Sequence, residues 1–363
     1  MMKTIKVAYL FGSLNRGGLE TLMLDVFRNA SVAKYEFIGI YRKPGLLEKE
    51  FVDSGVPMYR LRPKHALDLG YLMKMRRIMK DNKVDIVHSQ TPLDALIALL
   101  VTVGTKVKVV TTYHSGSFAK RKMTGYVMKH ADLNLYVSKY QKEKYLEVYG
   151  IKNAEKHGVL YNGVSFDKFP IPTVARDCKN ECVQLGMVGN FTLGRSQMFV
   201  CKFLKTLKER NIGFKFYFVG TKVQSDPQLY DDCVKYCEEN GLADSVCFMG
   251  TRNDVPKLLQ QWDAYIYSTV HDSFGISVIE AIASGLPTFV NDWPVMEEIT
   301  DNGTYATVYK SNDENDLFEK FVDFVDNRQY YCDKAFVAAE EVRKKYGIKE
   351  YMANLYGYYK DLK

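Results

Sequence analysis

Residues His271 to Pro287 read HDSFGISVIEAIASGLP. Two carboxylates, Asp272 and Glu280, stand eight positions apart, with Phe274 and Gly275 just after the first. Apolar residues at helical spacing begin at Ile276, so the first acid lies on a loop and the second one to two turns into a helix. Glu280 follows Ile276 by four residues and shares its helix face. A carboxylate among apolar neighbours needs hydrogen-bond donors, and sugar hydroxyls are such donors. The backbone N–H groups of Gly275, Ile276 and Ser277 at the helix start would face an oxyanion. A capped amphipathic helix is the plain alternative, and the rest of the chain decides between them.

Working outward, AYIYST reads as a strand before this stretch and LPTFVN as one after it. Upstream, CVQLGMVGN, FKFYFVG and SVCFMG are strands separated by the helices QMFVCKFLKTLKERN, PQLYDDCVKYCEENG and VPKLLQQWD. The first half repeats the alternation: TIKVAYLF, YEFIGIYR, VPMYRLR, VDIVHSQ, KVKVVTTYH and ADLNLYVS are strands, and LETLMLDVFRNA, YLMKMRRIMKDN and LDALIALLVT are helices between them. Strands alternating with helices predict βαβ units, parallel sheets and sites at the strands' C-terminal ends. A stretch of mixed polarity with two prolines, Asn162 to Asn180, predicts a linker. The expected organisation is α/β, with two doubly wound Rossmann-like domains in tandem facing a central cleft. The boundaries are 1–163 for the first domain, 164–180 for the linker and 181–345 for the second domain. A C-terminal helix, 346–363, packs back on the first domain.

The chain has 363 residues, about twice an ordinary domain. No apolar run approaches a membrane span, and the five-residue run VAYLF is too short for a signal peptide. Seven cysteines without a CxxC pair fit reduced thiols in a cytoplasmic protein, not a disulfide or zinc framework. The net charge of +7 is unevenly spread. Residues 1–165 hold 27 Lys and Arg against 14 Asp and Glu, a net +13, and the remainder is net −6. A basic first half calls for an anionic partner.

Three turns stand where a strand opens a helix. Gly17 and Gly18 follow the first strand, where a ligand can approach the backbone and the helix start offers N–H donors. This is not the GxGxxG pattern, so no dinucleotide fingerprint is supported. Asn190 and Arg195 flank a turn after CVQLGMV, with Arg195 placed to meet an anion beside backbone donors. His114 ends the strand KVKVVTTY beside Ser115 and Gly116.

On these residues the chain resembles, along nearly its whole length, the retaining GT-B-fold glycosyltransferases of glycosyltransferase family 4, the group 1 family. The family pattern is E-x7-E within a stretch like EGFGLxxLEAMAxGxPV, and here it stands as Asp272-SFGISVI-Glu280 followed by AIASGLPTFV. The GG-x-E turn at Gly17 to Glu20, the strand-end His114, LYNGV at Leu160 to Val164 and GTRNDVPKLL at Gly250 to Leu259 follow in the family's order.

The resemblance implies that Glu280 binds the ribose hydroxyls of the nucleotide and Asp272 contacts the donor sugar. Phe274, Gly275, Ile276 and Ser277 line the turn that gives backbone donors to sugar and diphosphate. His114 lines the anomeric centre. The family's diphosphate-neutralising pair of cations is matched only by Arg195, since Asn190 fills the other position, and Asp272 is one methylene shorter than the usual Glu. Thr251 to Val255 would hold the base, with Arg252 as the contact. The implied activity is a hexosyltransferase reaction from a nucleotide diphosphate sugar, UDP-linked, to a glycan or polyprenyl-linked acceptor for capsule, exopolysaccharide or lipopolysaccharide. No DxD motif is present, so neither an obligatory metal nor any other cofactor is expected. Two rivals are a sugar-nucleotide epimerase on the same fold and a basic nucleic-acid-binding module. The paired acids and the GG-x-E turn argue against the first. The second needs aromatics among the cations, and Tyr126, Tyr136, Tyr140 and Tyr145 at helical spacing read as packing residues, so no nucleic-acid partner is expected. Peripheral docking on an anionic membrane is expected through SFAKRKMTGYVMKHADL. There Lys120, Arg121, Lys122, Lys129 and His130 flank Phe118, Met123, Tyr126, Val127 and Met128.

Overall fold

Parallel strands covered on both faces read as continuous apolar runs, and the first strand behaves so: Val7, Ala8, Tyr9 and Leu10 are all buried. The computed structural model describes residues 4–30, 35–65, 68–116, 121–177 and 181–362. In chain order the first unit runs β1 (Ile5–Ser13), α1 (Gly18–Arg28), β2 (Tyr35–Lys43), α2 (Glu48–Asp53), β3 (Met58–Arg60), α3 (Leu69–Asp81), β4 (Ile86–Ser89), α4 (Pro92–Thr102), β5 (Lys108–Tyr113), α5 (Arg121–His130), β6 (Leu133–Tyr136), α6 (Lys139–Tyr149) and β7 (His157–Val159). The second runs β8 (Val183–Val188), α7 (Gln197–Glu209), β9 (Phe214–Val219), α8 (Pro227–Glu239), β10 (Val246–Phe248), α9 (Val255–Gln261), β11 (Ala264–Tyr267), α10 (Ile276–Ala283), β12 (Thr288–Asn291), α11 (Pro294–Ile299), β13 (Thr307–Tyr309), α12 (Glu314–Asp326) and α13 (Arg328–Tyr346). A last helix, α14 (Ile348–Asp361), belongs to the first unit.

The sheets are parallel throughout, in the orders β3-β2-β1-β4-β5-β6-β7 and β10-β9-β8-β11-β12-β13. Each order reverses once, between β1 and β4 in the first and between β8 and β11 in the second. Helices leave the two central strands in opposite directions there, opening a crevice at the strands' carboxyl ends. The loops after β8 and β11 carry Asn190, Arg195 and Asp272, so sheet topology alone brings the turn and the acid motif together.

Local chemistry starts the helices on time. Asp68 accepts from the Tyr71 N–H at 3.0 Å ahead of α3. Thr91 does the same for Asp94 at 3.2 Å, with Pro92 at the first helical position of α4. On one face of the first sheet α3, α4 and α5 bury Tyr71, Met75, Met79, Ala95, Ala98, Val101 and Val127. On the other, α14 joins α1 over Tyr9, Phe27 and Phe37. The Tyr359 hydroxyl there meets the Tyr9 hydroxyl at 2.9 Å and His88 Nδ1 at 2.5 Å.

Residues 166–177, expected as linker, belong to the second unit. The cause is Arg176. Its guanidinium donates to the carbonyls of Leu259, Gln260 and Trp262 at the C-terminal end of α9 and of Ser284 and Gly285 just after α10, at 2.9–3.1 Å. Helix C-termini leave such carbonyls without intrahelical partners, and a cation there is favoured. Arg343 adds bonds to Phe169 O and Pro170 O at 3.0 and 2.8 Å. Arg176→Ala is expected to destabilise the second unit by about 2 kcal/mol, a fall of roughly 4–8 °C in Tm measured by circular dichroism.

Candidate active site

The β11–α10 loop opens on Asp272. Its Oδ2 accepts from the Tyr267 hydroxyl at 2.5 Å, its Oδ1 accepts from the Phe274 N–H at 3.2 Å, and its backbone carbonyl accepts from Trp293 Nε1 at 3.0 Å. Arg195 reaches the same hydroxyl: Nε donates to Tyr267 Oη at 2.9 Å, and Nη2 lies 4.0 Å from Asp272 Oδ2. Tyr267 thus sits between cation and carboxylate, accepting from one and donating to the other. The pull of Tyr267 and then of Asp272 raises the Arg195 pKa despite burial, so the guanidinium stays charged.

Two features hold Arg195 there. The loop before α7 is stitched to the β11–α10 loop, with Val270 N and His271 N donating to Gly194 O at 3.0 and 3.1 Å and Ser196 N donating to Ser268 O at 3.1 Å. Gly189 makes the space, since a Cβ at that position would lie 2.3 Å from Arg195 Nη1.

Gly275 caps α10 at φ +82°, a left-handed conformation that favours glycine. A Cβ there would also press on Met296 Cε at 2.8 Å. Gly275, Ile276 and Ser277 precede the first intrahelical bond, from Val278 N to Gly275 O at 3.0 Å, so their N–H groups are the free donors of the helix start. Phe274 is buried against Tyr346. Ser277 Oγ is bonded to the Tyr265 hydroxyl at 3.0 Å. One turn further, the half-buried Glu280 carboxylate has no hydrogen bond or ion pair to a described residue. Burial pushes its pKa up to about 7. A carboxylate left without a partner in a strand-end crevice is a ligand group in waiting.

Two other expected contacts are engaged within the protein. Asn190 is exposed, and its Oδ1 accepts from the Thr221 N–H at 3.0 Å, tying the ends of β8 and β9. Arg252 is held by Asp254 through two bonds of 2.9 and 2.7 Å. Val255 begins α9 beside it, at the edge of the sheet where β10 ends.

In the first unit Gly17 caps α1 and Gly18 begins it. The helix start is already faced by a carboxylate, because a Cβ on Gly17 would lie 2.6 Å from Glu20 Oε2. Burial raises the Glu20 pKa. The expected anion donors at this turn thus stand beside the side chain of Glu20, the third residue of the helix. His114 directly follows β5, and its Nε2 lies 2.7 Å from Gln90 Oε1. Burial lowers its pKa to about 4, so the ring is neutral at physiological pH.

The expected membrane segment divides. Phe118 and Lys120 lie outside the described residues, as does the Arg121 side chain. Val127 and Met128 are fully buried in the core, so the apolar face of α5 packs on the sheet. Tyr136 stands on β6, not on a helix, and with Tyr145 it is buried in a cluster with Tyr113, withdrawn from any stacking role.

Tyr267, Trp293 and Gly189 were not singled out from sequence. The signal for Tyr267 was its spacing from Tyr265 in AYIYST, which puts both rings on one strand face. Nothing local marks Trp293, which arrives from the following helix start.

The model of Glycosyltransferase Family 4 matches residues 16–168, and that of Glycosyl transferases group 1 matches residues 179–344. An Escherichia coli UDP-Gal:alpha-D-GlcNAc-diphosphoundecaprenol alpha-1,3-galactosyltransferase is 22% identical over 79% of each chain. The capsular polysaccharide biosynthesis glycosyltransferase CapH of Staphylococcus aureus is 24% identical over 76% of this chain and 78% of its own. The crystal structure of HepE from Anabaena in complex with UDP and glucose superposes with a TM-score of 0.83 at 14% identity, covering 98% of this chain and 99% of that one. With the two models spanning both units, the chain belongs to the group 1 glycosyltransferases and is a transferase enzyme of the GT-B fold.

Proposed function

We propose that the enzyme moves a hexose from a UDP-sugar to a glycan or polyprenyl-linked acceptor in surface polysaccharide biosynthesis, with retention at the anomeric carbon, at the cytoplasmic side of the membrane. The observation that carries this reading is a charged Arg195, tied through Tyr267 to the Asp272 loop that leads into α10, together with a Glu280 on that helix whose carboxylate meets no described residue. An anion and a diol are what those groups take. The UDP-Gal and diphosphoundecaprenol named for the E. coli relative, the UDP and glucose bound to HepE and the capsular role of CapH support the donor and acceptor classes.

In the proposed step the bond from C1 to the diphosphate oxygen breaks and the diphosphate leaves with the electron pair. Arg195 and the N–H groups of Gly275, Ile276 and Ser277 stabilise that charge. The acceptor oxygen bonds to C1 on the same face, and its proton passes to the departing phosphate oxygen. Asp272 orients the sugar.

A nucleotide thermal-shift panel tests the reading. UDP should raise Tm more than GDP or ADP, because a ligand bound only to the folded state stabilises it by RT ln(1 + [L]/Kd). Equal shifts for all three, or none, would remove the donor assignment. The chain has no DxD motif, so transfer is expected to proceed in excess EDTA. Activity lost on chelation and restored by Mg²⁺ or Mn²⁺ would show that Arg195 and the helix start do not suffice.

A further inference from the structure

We propose that Cys237 and Cys201 form an oxidisable thiol pair, a modification site at which hydrogen peroxide joins α8 to α7 through a disulfide and slows donor turnover. The effect on turnover rests on the reading of Arg195 as a donor-site cation; the bridge itself does not.

The chain has no CxxC pair, yet the fold gathers three thiols. Cys233 and Cys237 stand one turn apart on α8 and share a helix face. They are the only buried side chains among the thirteen residues of that helix. Both are 2% exposed, and Cys201 on α7 is fully buried. Helices α7 and α8 pack on each other, and the Cys201 thiol is hydrogen-bonded to both Cys233 and Cys237. The inner face of α8 is thus a pair of thiols laid against a third. Free thiols pack as small apolar groups, but thiols in contact also place a nucleophile beside a group that can resolve it.

The pair is polarised. The hydrogen bond from Cys201 lowers the Cys237 pKa, whereas the contacts with Cys233 and Cys237, and then burial, raise that of Cys201. Cys237 is therefore the more readily ionised sulfur. It lies two residues from the end of α8, beside the exposed Glu238 and Glu239, where fraying of the last turn admits a molecule little larger than water. The Cys237 thiolate attacks one peroxide oxygen, the O–O bond breaks and hydroxide leaves, giving a sulfenic acid. The Cys201 sulfur then attacks the Cys237 sulfur, the S–O bond breaks, and the Cys201 proton departs with that hydroxide as water. Two thiols and one peroxide thus become one disulfide and two waters, with two electrons passed from sulfur to oxygen.

The bridge reaches the donor site through α7. A disulfide holds its Cα atoms within about 7 Å, so its closure fixes α8 against the first turns of α7. Cys201 stands one turn after Gln197, whose Nε2 donates to Gly189 O at 3.4 Å and Asn190 O at 3.1 Å. Gly189 is the residue that makes room for Arg195, and Arg195 lies two residues before α7. A shift of the α7 start is therefore passed to the guanidinium.

The test treats the full chain with hydrogen peroxide and maps its tryptic peptides by tandem mass spectrometry without reduction. A Cys201–Cys237 bridge should appear and be removed by dithiothreitol. In Cys201→Ala the bridge should be absent and dimedone should trap a sulfenic acid on Cys237. Cys237→Ala should yield neither product. Release of UDP from UDP-glucose by the wild type should fall at least fivefold on oxidation and recover on reduction, while both variants, if folded by circular dichroism, should turn over equally with and without peroxide. No release from the reduced wild type would count against the donor reading and not against the bridge, which the mapping reads on its own. Absence of the bridge overturns the proposal, as does a bridge to Cys233 instead. A Cys201–Cys237 bridge that leaves UDP release unchanged removes the coupling to Arg195.

Discussion

Replacing Glu280 with alanine is expected to abolish measurable nucleotide binding, a loss of at least a hundredfold, while the fold stands. The side chain has no hydrogen bond or ion pair to a described residue, so its removal breaks no contact of the kind that holds the second unit together. Hydrogen bonds to a charged group are worth about 1.5–3 kcal/mol each, and two ribose hydroxyls on one carboxylate account for the size of the loss. Calorimetry with UDP reads it, and unchanged affinity would remove the ribose assignment. The pH dependence is a second signature. Burial holds the folded-state pKa at about 7 against an ordinary value of 4.5. The folded protein therefore binds a proton more tightly than the unfolded chain, so this group's contribution to stability is lost as pH rises from about 4.5 to about 7. The ionised form is the one that accepts from both hydroxyls. Nucleotide affinity should thus rise about tenfold from pH 6 to pH 8 beyond any titration of the phosphate itself. Glu280→Gln, measured in parallel, should lack both slopes.

Arg195→Ala should cost the reaction about 10²–10³ in kcat, the usual price of removing a preorganised group from a developing anion. The effect should fall on turnover of donor, read as released UDP, more than on the affinity for UDP, because the charge on the diphosphate grows as the sugar bond breaks. Asp272 would lose its cation in the same substitution. Tyr267→Phe separates the two functions: it deletes the hydroxyl that Arg195 Nε donates to and that donates to Asp272 Oδ2, and should slow turnover about tenfold while leaving both charges. Arg195→Lys keeps a charge but not the planar fork that reaches Tyr267 and anion together, so its rescue should be partial. A kcat for Arg195→Ala within threefold of the wild type would remove Arg195 from the leaving-group site.

Much of the second unit's site was legible because it is local. Asp272, Gly275 and Glu280 lie within nine residues, and one loop and one helix turn set their relations. The alternation of strand and helix was legible for a similar reason, since burial on both faces of a parallel strand leaves an apolar run that periodicity detects. Short elements escaped it. Helix α2 covers six residues and β13 covers three, too few for a period to declare itself.

What the sequence by itself determined was the inventory: two α/β halves, a basic first half, an acid pair at fixed spacing and Arg195 at a helix start. Tertiary structure alone decided who meets whom. Tyr267 joins Arg195 to Asp272 because β8 and β11 are neighbours in the sheet although 76 residues separate Ala264 from Val188. Arg176 converts an apparent linker into part of the second unit because two helix C-termini end beside it. The two amphipathic helices show the limit most plainly. Both α3 and α5 mix lysines with apolar residues, and helical periodicity assigns each a face but not a partner. Only packing on the sheet put Val127 and Met128 inside and left Leu69 and Met73 in solvent, because which side of a helix is covered depends on strand order, a property no short stretch of chain contains.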